Sequence, residues 1–459
     1  MTRVTAIFDI GKTNKKFFLF DDRFEVVHCE NKVFKEISDD EGFPEDDLSS
    51  IVLWIKEKIN IAVSSRDYYL DAVNFSTYGA SMVHLGVGGS PITPFYNYLK
   101  KVPSPVLEKF MAKYGDGGNI AVETASPISA MLNSGLQMFW LKETKPDVYC
   151  RIKHSLHLPQ YLSFMFSGVP VSDYTSIGCH TLLWDYKNNN YHNWVYKEGL
   201  DLKLAPIVPT SKCFNSIYAG RKIRVGVGIH DSSASLVPYL NGDKSTFALL
   251  STGTWNVTMN PFNRSLVSRL DLNNNCLSYM RVDGVPLKAS RLFLGNEHQL
   301  QVKRLDQHFG KDENYSHDVK FDKTIFLRQR KNFKRKFRFE SLFIEQGPIS
   351  RTNLHSFHSY EEAYHQLMLE LIILQFDSSS FAIQNAEIKT IYIEGGFCNN
   401  DLFVRMAAHY FGDMVVKISK LAIGSALGAA MIISTKKTDG GFLEKYYGLE
   451  IPPLLRETQ

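Results

Sequence analysis

A short polar stretch between two apolar runs, Asp9 to Lys16, constrains the fold of this chain more than any other feature. The runs Val4–Phe8 and Phe17–Phe20 each have the length and apolarity of a buried strand. So few residues between two strands predict a hairpin connection rather than a strand-to-helix turn. Asp9 can hold a water molecule on a magnesium ion, and Gly11 lets backbone N–H groups approach a phosphoryl oxygen. The stretch therefore predicts a phosphate-binding loop.

The other side chains of this loop fit the same ligand. Lys12, Thr13, Asn14 and Lys16 add hydrogen-bond donors and positive charge where a triphosphate would lie. The sequence Gly-Lys-Thr at residues 11–13 suggests a P-loop, but the required Gly-x-x-x-x-Gly-Lys pattern is missing. A hairpin phosphate loop remains.

Composition excludes several classes of protein. The 459 residues allow two or three domains, and 52 basic against 48 acidic residues argue against a dedicated nucleic-acid binder. The six cysteines form no CxxC pair, which is typical of reduced thiols in a cytosolic protein. No apolar stretch approaches 18 residues and the chain begins directly with a strand, so we expect no membrane span and no signal peptide. We expect a cytoplasmic protein.

The hydrophobic pattern predicts alternating strands and helices in both halves of the chain. A polar turn, a proline-containing connector and a restarted buried strand, 225–229, place the domain boundary near residue 225, with domains 1–225 and 226–459. The predicted strands are 3–10, 16–21, 25–33, 71–76, 225–229, 247–250, 255–259 and 389–394. The predicted helices are 46–65, 104–114, 127–143, 157–168, 360–383, one from 401 and 421–433.

Two further glycine motifs lie in the second half. The stretch Leu250 to Trp255 places Thr252 and Gly253 at a second predicted hairpin turn, where backbone N–H groups can face the outer phosphates of a nucleotide. Gly395 and Gly396 follow a predicted strand and precede Asn399 and Asn400, whose amides can bond an adenine or ribose. Taken singly, each motif is explained about as well by an ordinary turn.

Asp231 lies in the segment Gly228–Ser235, between a buried strand and a helix start rich in small residues. A carboxylate there can face a cleft and act as a general base toward a hydroxyl that attacks a γ-phosphate. For the motif taken alone, an N-cap of the following helix is the better explanation of this aspartate. The two phosphate loops favour the catalytic interpretation.

The chain resembles the FGGY carbohydrate kinases, within the actin-like, ribonuclease-H-like ATPases. One hairpin phosphate loop in each half is the superfamily's arrangement. The segments Thr175–Asp185, Val225–Pro238 and Ile391–Ala430 are similar to the family's hydroxyl-rich, catalytic-aspartate and adenosine-binding segments. The resemblance implies an α/β fold of two actin-like ATPase domains with a catalytic cleft between them. It implies a kinase of a small ketose, and His230-Asp231 and Ser251–Trp255 most resemble the L-fuculose and L-rhamnulose kinases.

The resemblance also implies roles for individual residues, with ATP and Mg²⁺ as cofactors. Asp231 would be the catalytic base, and Asp9 and Asp231 would be the carboxylates associated with the metal. Thr77, Gly79, His230 and Asp231 would contact the sugar. The implied nucleotide-binding residues are Gly11, Lys12, Thr13, Asn14, Lys16, Thr252, Gly253, Gly295, Gly395, Gly396 and Asn400.

Two departures from the family pattern keep alternatives open. Lys12 replaces a small residue, and Tyr96 to Lys100 lacks the common Trp-x-Asp-x-Arg. One alternative is a non-catalytic nucleotide- or sugar-binding protein with this fold, and another is an actin-like chaperone or filament ATPase. We expect a small-molecule sugar as partner, no nucleic acid, no membrane and a possible homodimer. The basic run 328–338 is interpreted as a solvated strand or loop with Phe333 and Phe337 turned inward.

Overall fold

The structure is a computed structural model that describes residues 1–115, 119–342, 351–384, 386–421, 423–436 and 441–453. Its strands are β1 Thr2–Ile10, β2 Lys15–Asp21, β3 Val26–Lys32, β4 Glu36–Ser38, β5 Pro44–Asp46, β6 Tyr68–Thr77, β7 Met82–Leu85, β8 His154–His157, β9 Ser172–Asp173, β10 Trp184–Asp185, β11 Asn190–Tyr191, β12 Ile207–Val208, β13 Cys213–Tyr218, β14 Arg221–Gly226, β15 Ile229–His230, β16 Phe247–Thr252, β17 Asn256–Asn260, β18 Cys276–Met280, β19 Pro286–Leu292, β20 Thr390–Gly395, β21 Val415–Ser419 and β22 Leu449–Glu450.

The helices lie between these strands in the sequence. They are α1 Leu48–Ser64, α2 Ser104–Tyr114, α3 Asn119–Glu123, α4 Ser134–Thr144, α5 Pro146–Arg151, α6 Leu158–Ser167, α7 Tyr174–Ile177, α8 Asn193–Lys197, α9 Asp231–Ser235, α10 Val237–Gly242, α11 Arg269–Asn273, α12 Leu294–Phe309, α13 Tyr315–Asp318, α14 Lys323–Lys331, α15 Tyr360–Ile383, α16 Asp401–Tyr410, α17 Gly424–Ile433 and α18 Phe442–Tyr446. Short 3-10 turns occupy Ala130–Leu132, Asp201–Lys203, Leu354–Ser356 and Gly396–Asn399.

Each half of the chain contributes one large mixed sheet. The first has the order β13-β14-β6-β1-β2-β3 with β15 added beside β6, and the second has the order β18-β19-β17-β16-β20-β21-β22. In both sheets an antiparallel hairpin adjoins a parallel pair, β1–β2 beside β6 and β16–β17 beside β20. The predicted α/β fold with one hairpin loop per half is confirmed. Because β15 belongs to the first sheet, that sheet extends to His230, and the boundary at residue 225 stays a prediction.

The hydrophobic core has a layered arrangement. One cluster fills the space between the two sheets and includes Ile7 and Phe18 from the first and Leu249 and Tyr392 from the second. The outer face of the first sheet is covered mainly by α1 and α6, and that of the second by α15 and α16. The sheets are joined at α9 and α17, where a Cβ on Gly428 would lie 1.8 Å from the carbonyl oxygen of Ala234. This close contact fixes the floor of the cleft between the halves.

α15 alone among the described helices has the length and hydropathy of a possible membrane span. In its most apolar window, 67% of the residues are buried inside the protein. Its carboxylate Glu370 is buried and accepts hydrogen bonds from the backbone of Lys336 and Phe337. α15 therefore lies in the protein interior.

Three sequence-based predictions of local structure were wrong. The strand 225–229 is interrupted at Gly228, whose φ of 87° turns the chain between β14 and β15. The helix expected at 127–143 begins only at Ser134, because Ala130 adopts a left-handed φ of 53°. The basic run starts inside α14, and Phe333 is 41% exposed, whereas Phe337 is buried as expected.

Candidate active site

Three parallel strands of the first sheet end together at the cleft. The register places Ile10 of β1 beside Thr77 of β6, and Thr77 beside His230 of β15. Asp9 lies one residue before the end of β1, and Asp231 follows β15 directly as the first residue of α9. Since carboxyl ends of parallel strands meet at one sheet edge, the two aspartates converge. Both line a cavity of about 580 Å³.

The two carboxylates are held in an environment that disfavours their charge. Burial raises the pKa of Asp9 to about 6, against the nearby charge of Lys16 and with a further rise from the charge of Asp231. Burial also raises the pKa of Asp231 to about 6, although the backbone N–H of Ser232 donates to it at 2.6 Å. A cation or a proton near both groups would lower the free-energy cost of their buried negative charge.

His230 supports Asp231 as a neutral imidazole. Burial lowers the pKa of His230 to about 4. Its Nε2 lies 3.3 Å from Oδ1 of Asp231 and 3.1 Å from Sγ of Cys179. A Cβ on Gly79 would lie 2.9 Å from that sulfur and 3.1 Å from the imidazole ring. The missing side chain at Gly79 therefore lets the chain pass directly over His230.

The second sheet presents the matching edge. β16 and β20 are parallel, and the register pairs Ser251 with Glu394 and Thr252 with Gly395. Burial raises the pKa of Glu394 to about 7, and the charge of Asp9 adds to this rise. Glu394 lines the same cavity as the two aspartates. Sequence reasoning missed it, although it precedes a glycine turn at the end of a strand much as Asp9 precedes Gly11.

A second cavity of about 520 Å³ adjoins the first, since Thr254 lines both. Four of the predicted nucleotide-binding residues line it: Gly253, Gly295, Gly396 and Asn400. The Asn400 side chain accepts from the backbone N–H of Phe403 at 2.9 Å and donates to the Tyr364 hydroxyl at 2.6 Å. Asn400 is therefore the N-cap of α16 as well as a wall of this cavity.

Most of the remaining predicted residues line the first cavity, but four line neither. Lys12, Thr13, Lys16, Gly79, His230 and Gly395 border the first cavity with the two aspartates. Gly11 and Asn14 close the first hairpin through a backbone bond of 3.0 Å. The hydroxyl of Thr77 donates to the carbonyl of Tyr78, and that of Thr252 donates to the carbonyl of Glu394. These four residues shape the loops around the cleft.

Lys12 has a carboxylate partner on each side. Its Nζ lies 2.9 Å from Oδ2 of Asp46 and 3.0 Å from Oε1 of Glu36. The buried Lys15 binds the other oxygen of Asp46 at 2.8 Å, and the Tyr78 hydroxyl donates to Asp46 at 2.7 Å. The extra charge at position 12 is thus engaged in an ion network at the base of the first loop.

Several residues that line the first cavity were not predicted from the sequence, because they come from distant segments of the chain. Tyr98 lies in the segment 96–100 that departs from the family pattern, and it does reach the cavity. His180 reaches it from a left-handed φ of 43°. Arg291 of β19 shares a strand face with the core residues Leu287 and Ala289. Strand alternation is the signal that would have placed Arg291 in the cleft.

Comparisons with known proteins agree with this architecture. The model of the FGGY family of carbohydrate kinases matches with its N-terminal domain at residues 4–230 and its C-terminal domain at residues 356–435. A carbohydrate kinase from Novosphingobium aromaticivorans superposes with a TM-score of 0.75 at 22% identity, covering 93% of each chain. A xylulose kinase and a gluconate kinase, both from Lactobacillus acidophilus, each superpose with a TM-score of 0.76. They are 18% and 17% identical, and each match covers 94% of this chain and 89% of the other.

The two matched domains together span most of the chain and include the first hairpin loop, His230 and the turn at Gly395, and the N-terminal match ends one residue before Asp231. The structural matches at such low identity show the fold, which is the two-domain α/β fold of sugar kinases of the actin-like ATPase type. From the residues matched by both domain models, the chain belongs to the FGGY family of carbohydrate kinases.

Proposed function

We propose that this protein transfers the γ-phosphoryl group of ATP to a hydroxyl of a small ketose. Membership of a carbohydrate kinase family supports ATP-dependent phosphorylation of a sugar in general. The observation that carries the proposal is the convergence of Asp9 and Asp231 in one cavity bordered by both hairpin loops. The resemblance to L-fuculose and L-rhamnulose kinases favours a ketose acceptor, and a xylulose-like ketose is the other candidate.

The two joined cavities suggest how the substrates lie. The adenosine would occupy the cavity lined by Gly295, Gly396 and Asn400. The phosphates would pass Thr254, which borders both cavities, and reach the space between the two loops. Lys16 and the backbone N–H groups of the loops would then face the transferring phosphoryl group, where they stabilise its charge. The acceptor would lie beside Gly79 and His230.

Asp231 would act as the general base. Its pKa of about 6 leaves it ionised at neutral pH yet able to accept a proton. The neutral His230, whose Nε2 lies 3.3 Å from Oδ1 of Asp231, would donate to the carboxylate in its Nε2–H tautomer and so orient it. As the acceptor hydroxyl attacks phosphorus, its proton passes to Asp231, and ADP leaves. Closure of the two domains would exclude water, so that the sugar hydroxyl is the nucleophile.

The residues present fit Mg²⁺ as a cofactor. Asp9 and Asp231 line one cavity, and burial, which raises the pKa of both carboxyl groups, makes a cation beside them favourable. No cluster of three metal-ligating side chains occurs among the described residues. This agrees with a magnesium ion held by one or two carboxylates, water and phosphate oxygens. When bound, the ion would supply charge neutralisation on the phosphates, and Asp9 would orient it.

Replacing the proposed base tests this function. Asp231→Asn keeps the size of the side chain but cannot accept the proton, so we expect phosphorylation to fall by about 10²–10⁴-fold. ADP release would be measured with a panel of ketoses, aldoses and polyols, and ATP binding by calorimetry. ATP affinity should stay within about threefold, because Asp231 lies outside the proposed adenosine cavity. Asp283→Asn, which changes a surface ion pair with Arg281, is the matched control.

The same assay separates the alternatives. Undiminished sugar phosphorylation by Asp231→Asn would show that Asp231 is not the base. ADP release that is indifferent to every acceptor would point to a filament or chaperone ATPase. Nucleotide binding without turnover would point to a non-catalytic protein, which the presence of both aspartates in one cavity does not favour.

A further inference from the structure

Arg291 is a buried cation whose charge has no use in the mechanism described so far. It is 6% exposed and lines the 580 Å³ cavity. Its Nη2 donates to Oδ1 of Asn275 at 2.9 Å, while its Nε is buried without a hydrogen-bond partner. Among the described residues no carboxylate pairs with it, unlike Lys12 in the same cavity. A desolvated guanidinium of this kind requires an anion or further acceptors to offset its burial.

The position of Arg291 on its strand assigns it to the acceptor end of the cleft. β17 and β19 are antiparallel, with Val257 directly opposite Arg291, and both residues line the cavity. The guanidinium lies 5.4 Å from the ring centre of Trp255, at the end of the second hairpin loop. It also interacts with the hydroxyl of Tyr279. The Tyr279 ring in turn contacts the His230 ring at 5.4 Å. Arg291 therefore lies across Tyr279 from the residues beside the proposed base.

The groups around Arg291 are electrically neutral. Burial lowers the pKa of His180 well below its usual value, and the charge of Arg291 lowers it further. Burial raises the pKa of the Cys179 thiol and of the Tyr279 hydroxyl well above their usual values. The ionisable side chains next to Arg291 are thus neutral, and Asp231 lies further along the same cavity. An acceptor that matches this pattern carries a negative charge at one end and hydroxyls along its length.

We propose that the acceptor is a sugar acid, a polyhydroxylated chain whose carboxylate binds Arg291 while a hydroxyl at its other end faces Asp231. This rests on the proposed kinase function and specifies its small ketose as one that carries a carboxylate. The planar guanidinium can donate from its two Nη atoms to a carboxylate in a bidentate geometry, which makes such pairs specific. Because Arg291 belongs to the second domain and Gly79 and His180 to the first, the bound acid contacts both domains. Charge recognition is thereby coupled to closure of the cleft.

Neutral and charged acceptors of the same shape test the proposal with the unaltered protein. Aldonates and keto-sugar acids are compared with their amides, alditols and parent ketoses, by ADP release with saturating Mg-ATP. We expect kcat/KM for the best acid to exceed that of its own amide by at least about 100-fold, the scale of a lost charge-assisted bidentate contact. Equal or better use of the neutral partners would overturn the proposal while leaving the kinase function intact.

Variants of Arg291 then locate the preference. Arg291→Gln should raise KM for the acid about 100-fold and abolish the preference for acid over amide, whereas Arg291→Lys should restore part of it. Arg281→Gln, in the turn between β18 and β19 and paired with Asp283, should keep the wild-type preference. Thermal unfolding and ATP binding check that each variant is folded. An acid preference that survives in Arg291→Gln would contradict the assignment of Arg291. If no acceptor of either kind gives Asp231-dependent ADP release, the kinase function itself fails.

Discussion

The two hairpin loops that border the cleft are held in place by different forces. The first, residues 11–14, is anchored by buried charges, because Lys15 and Lys12 both bind Asp46. The second, residues 252–256, carries no charged residue and is wedged between glycines. A Cβ on Gly395 would lie 2.0 Å from the carbonyl oxygen of Thr252, and one on Gly295 would lie 1.9 Å from that of Gly253.

This difference in anchoring goes with a difference in what each loop would contribute to binding the same phosphates. The first loop joins β1 and β2 so that Asp9 and Lys16 are directly opposite each other in the strand pair. It therefore places a carboxylate and a cation where the charges of a metal ion and of the phosphates can be compensated. The neutral loop offers hydroxyls and backbone N–H groups, and its tight packing fixes their direction. A loop anchored by ions should fail when one charge is lost, and a loop anchored by contact should fail when one methyl group is added.

Breaking the ion network should have the largest effect on stability. Asp46→Asn leaves Lys15, whose side chain is 1% exposed, without its carboxylate, so we expect the free energy of unfolding to fall by about 3–5 kcal/mol. Chemical denaturation measures the change. The control is Asp22→Asn, which removes an exposed pair with Lys436 and should cost about 1 kcal/mol or less. Equal effects of the two variants would show that the first loop does not depend on its buried ions.

Adding a methyl group where Gly395 contacts the backbone of Thr252 should have the next largest effect on stability. Gly395→Ala places a methyl group against the Thr252 carbonyl at a φ of 95°, where side chains are strained. We expect a loss of about 2–4 kcal/mol in unfolding free energy and weaker ATP binding. The neighbouring Gly396→Ala has no atom within 4 Å of its new methyl, so its stability should match the wild type. If the two alanines destabilise alike, contact does not anchor the second loop.

Asp9 allows a pH-dependent test of the charged loop. An acid whose pKa is raised by folding favours the folded state below its unfolded pKa, 3.8, and loses that contribution as pH rises through about 6. At pH 8, Asp9→Asn should therefore stabilise the free protein by about 1–3 kcal/mol, and at pH 4 the gain should vanish. Thermal unfolding at both pH values measures this. A gain independent of pH would exclude relief of the Asp9 charge as its cause.

The sequence predicted what depends on local pattern and missed what depends on distant partners. The bounds predicted for helices 104–114 and 360–383 agree with the structure, and both hairpins were found from paired apolar runs. Asp9, Gly253 and Asp231 lie at strand ends, so strand pattern alone brought them to the cleft. Glu394 and Arg291 carry local signals, the strand end before Gly395 and the alternation along β19, but the pairing of β20 with β16 and of β19 with β17 is what places them in the cleft. The partners of Lys12 were missed for the same reason, since Asp46 is 34 residues away.

Replacing Lys12 should have the smallest effect on stability, and comparing it with Lys16 distinguishes the roles of the two lysines in the first loop. From the sequence we expected the charge of Lys12 to contribute to ATP binding, but its amine lies between Asp46 and Glu36. Lys12→Met should therefore change KM for ATP by less than about fivefold. It should lower the unfolding free energy by about 1 kcal/mol, because Lys15 still compensates Asp46.

Lys16→Met, which removes the cation opposite Asp9, should instead lower kcat by at least about tenfold. If Lys12→Met weakened ATP binding as strongly as Lys16→Met, both lysines of this loop would serve the phosphates directly. The ion network would then be an arrangement of the nucleotide-free cleft alone.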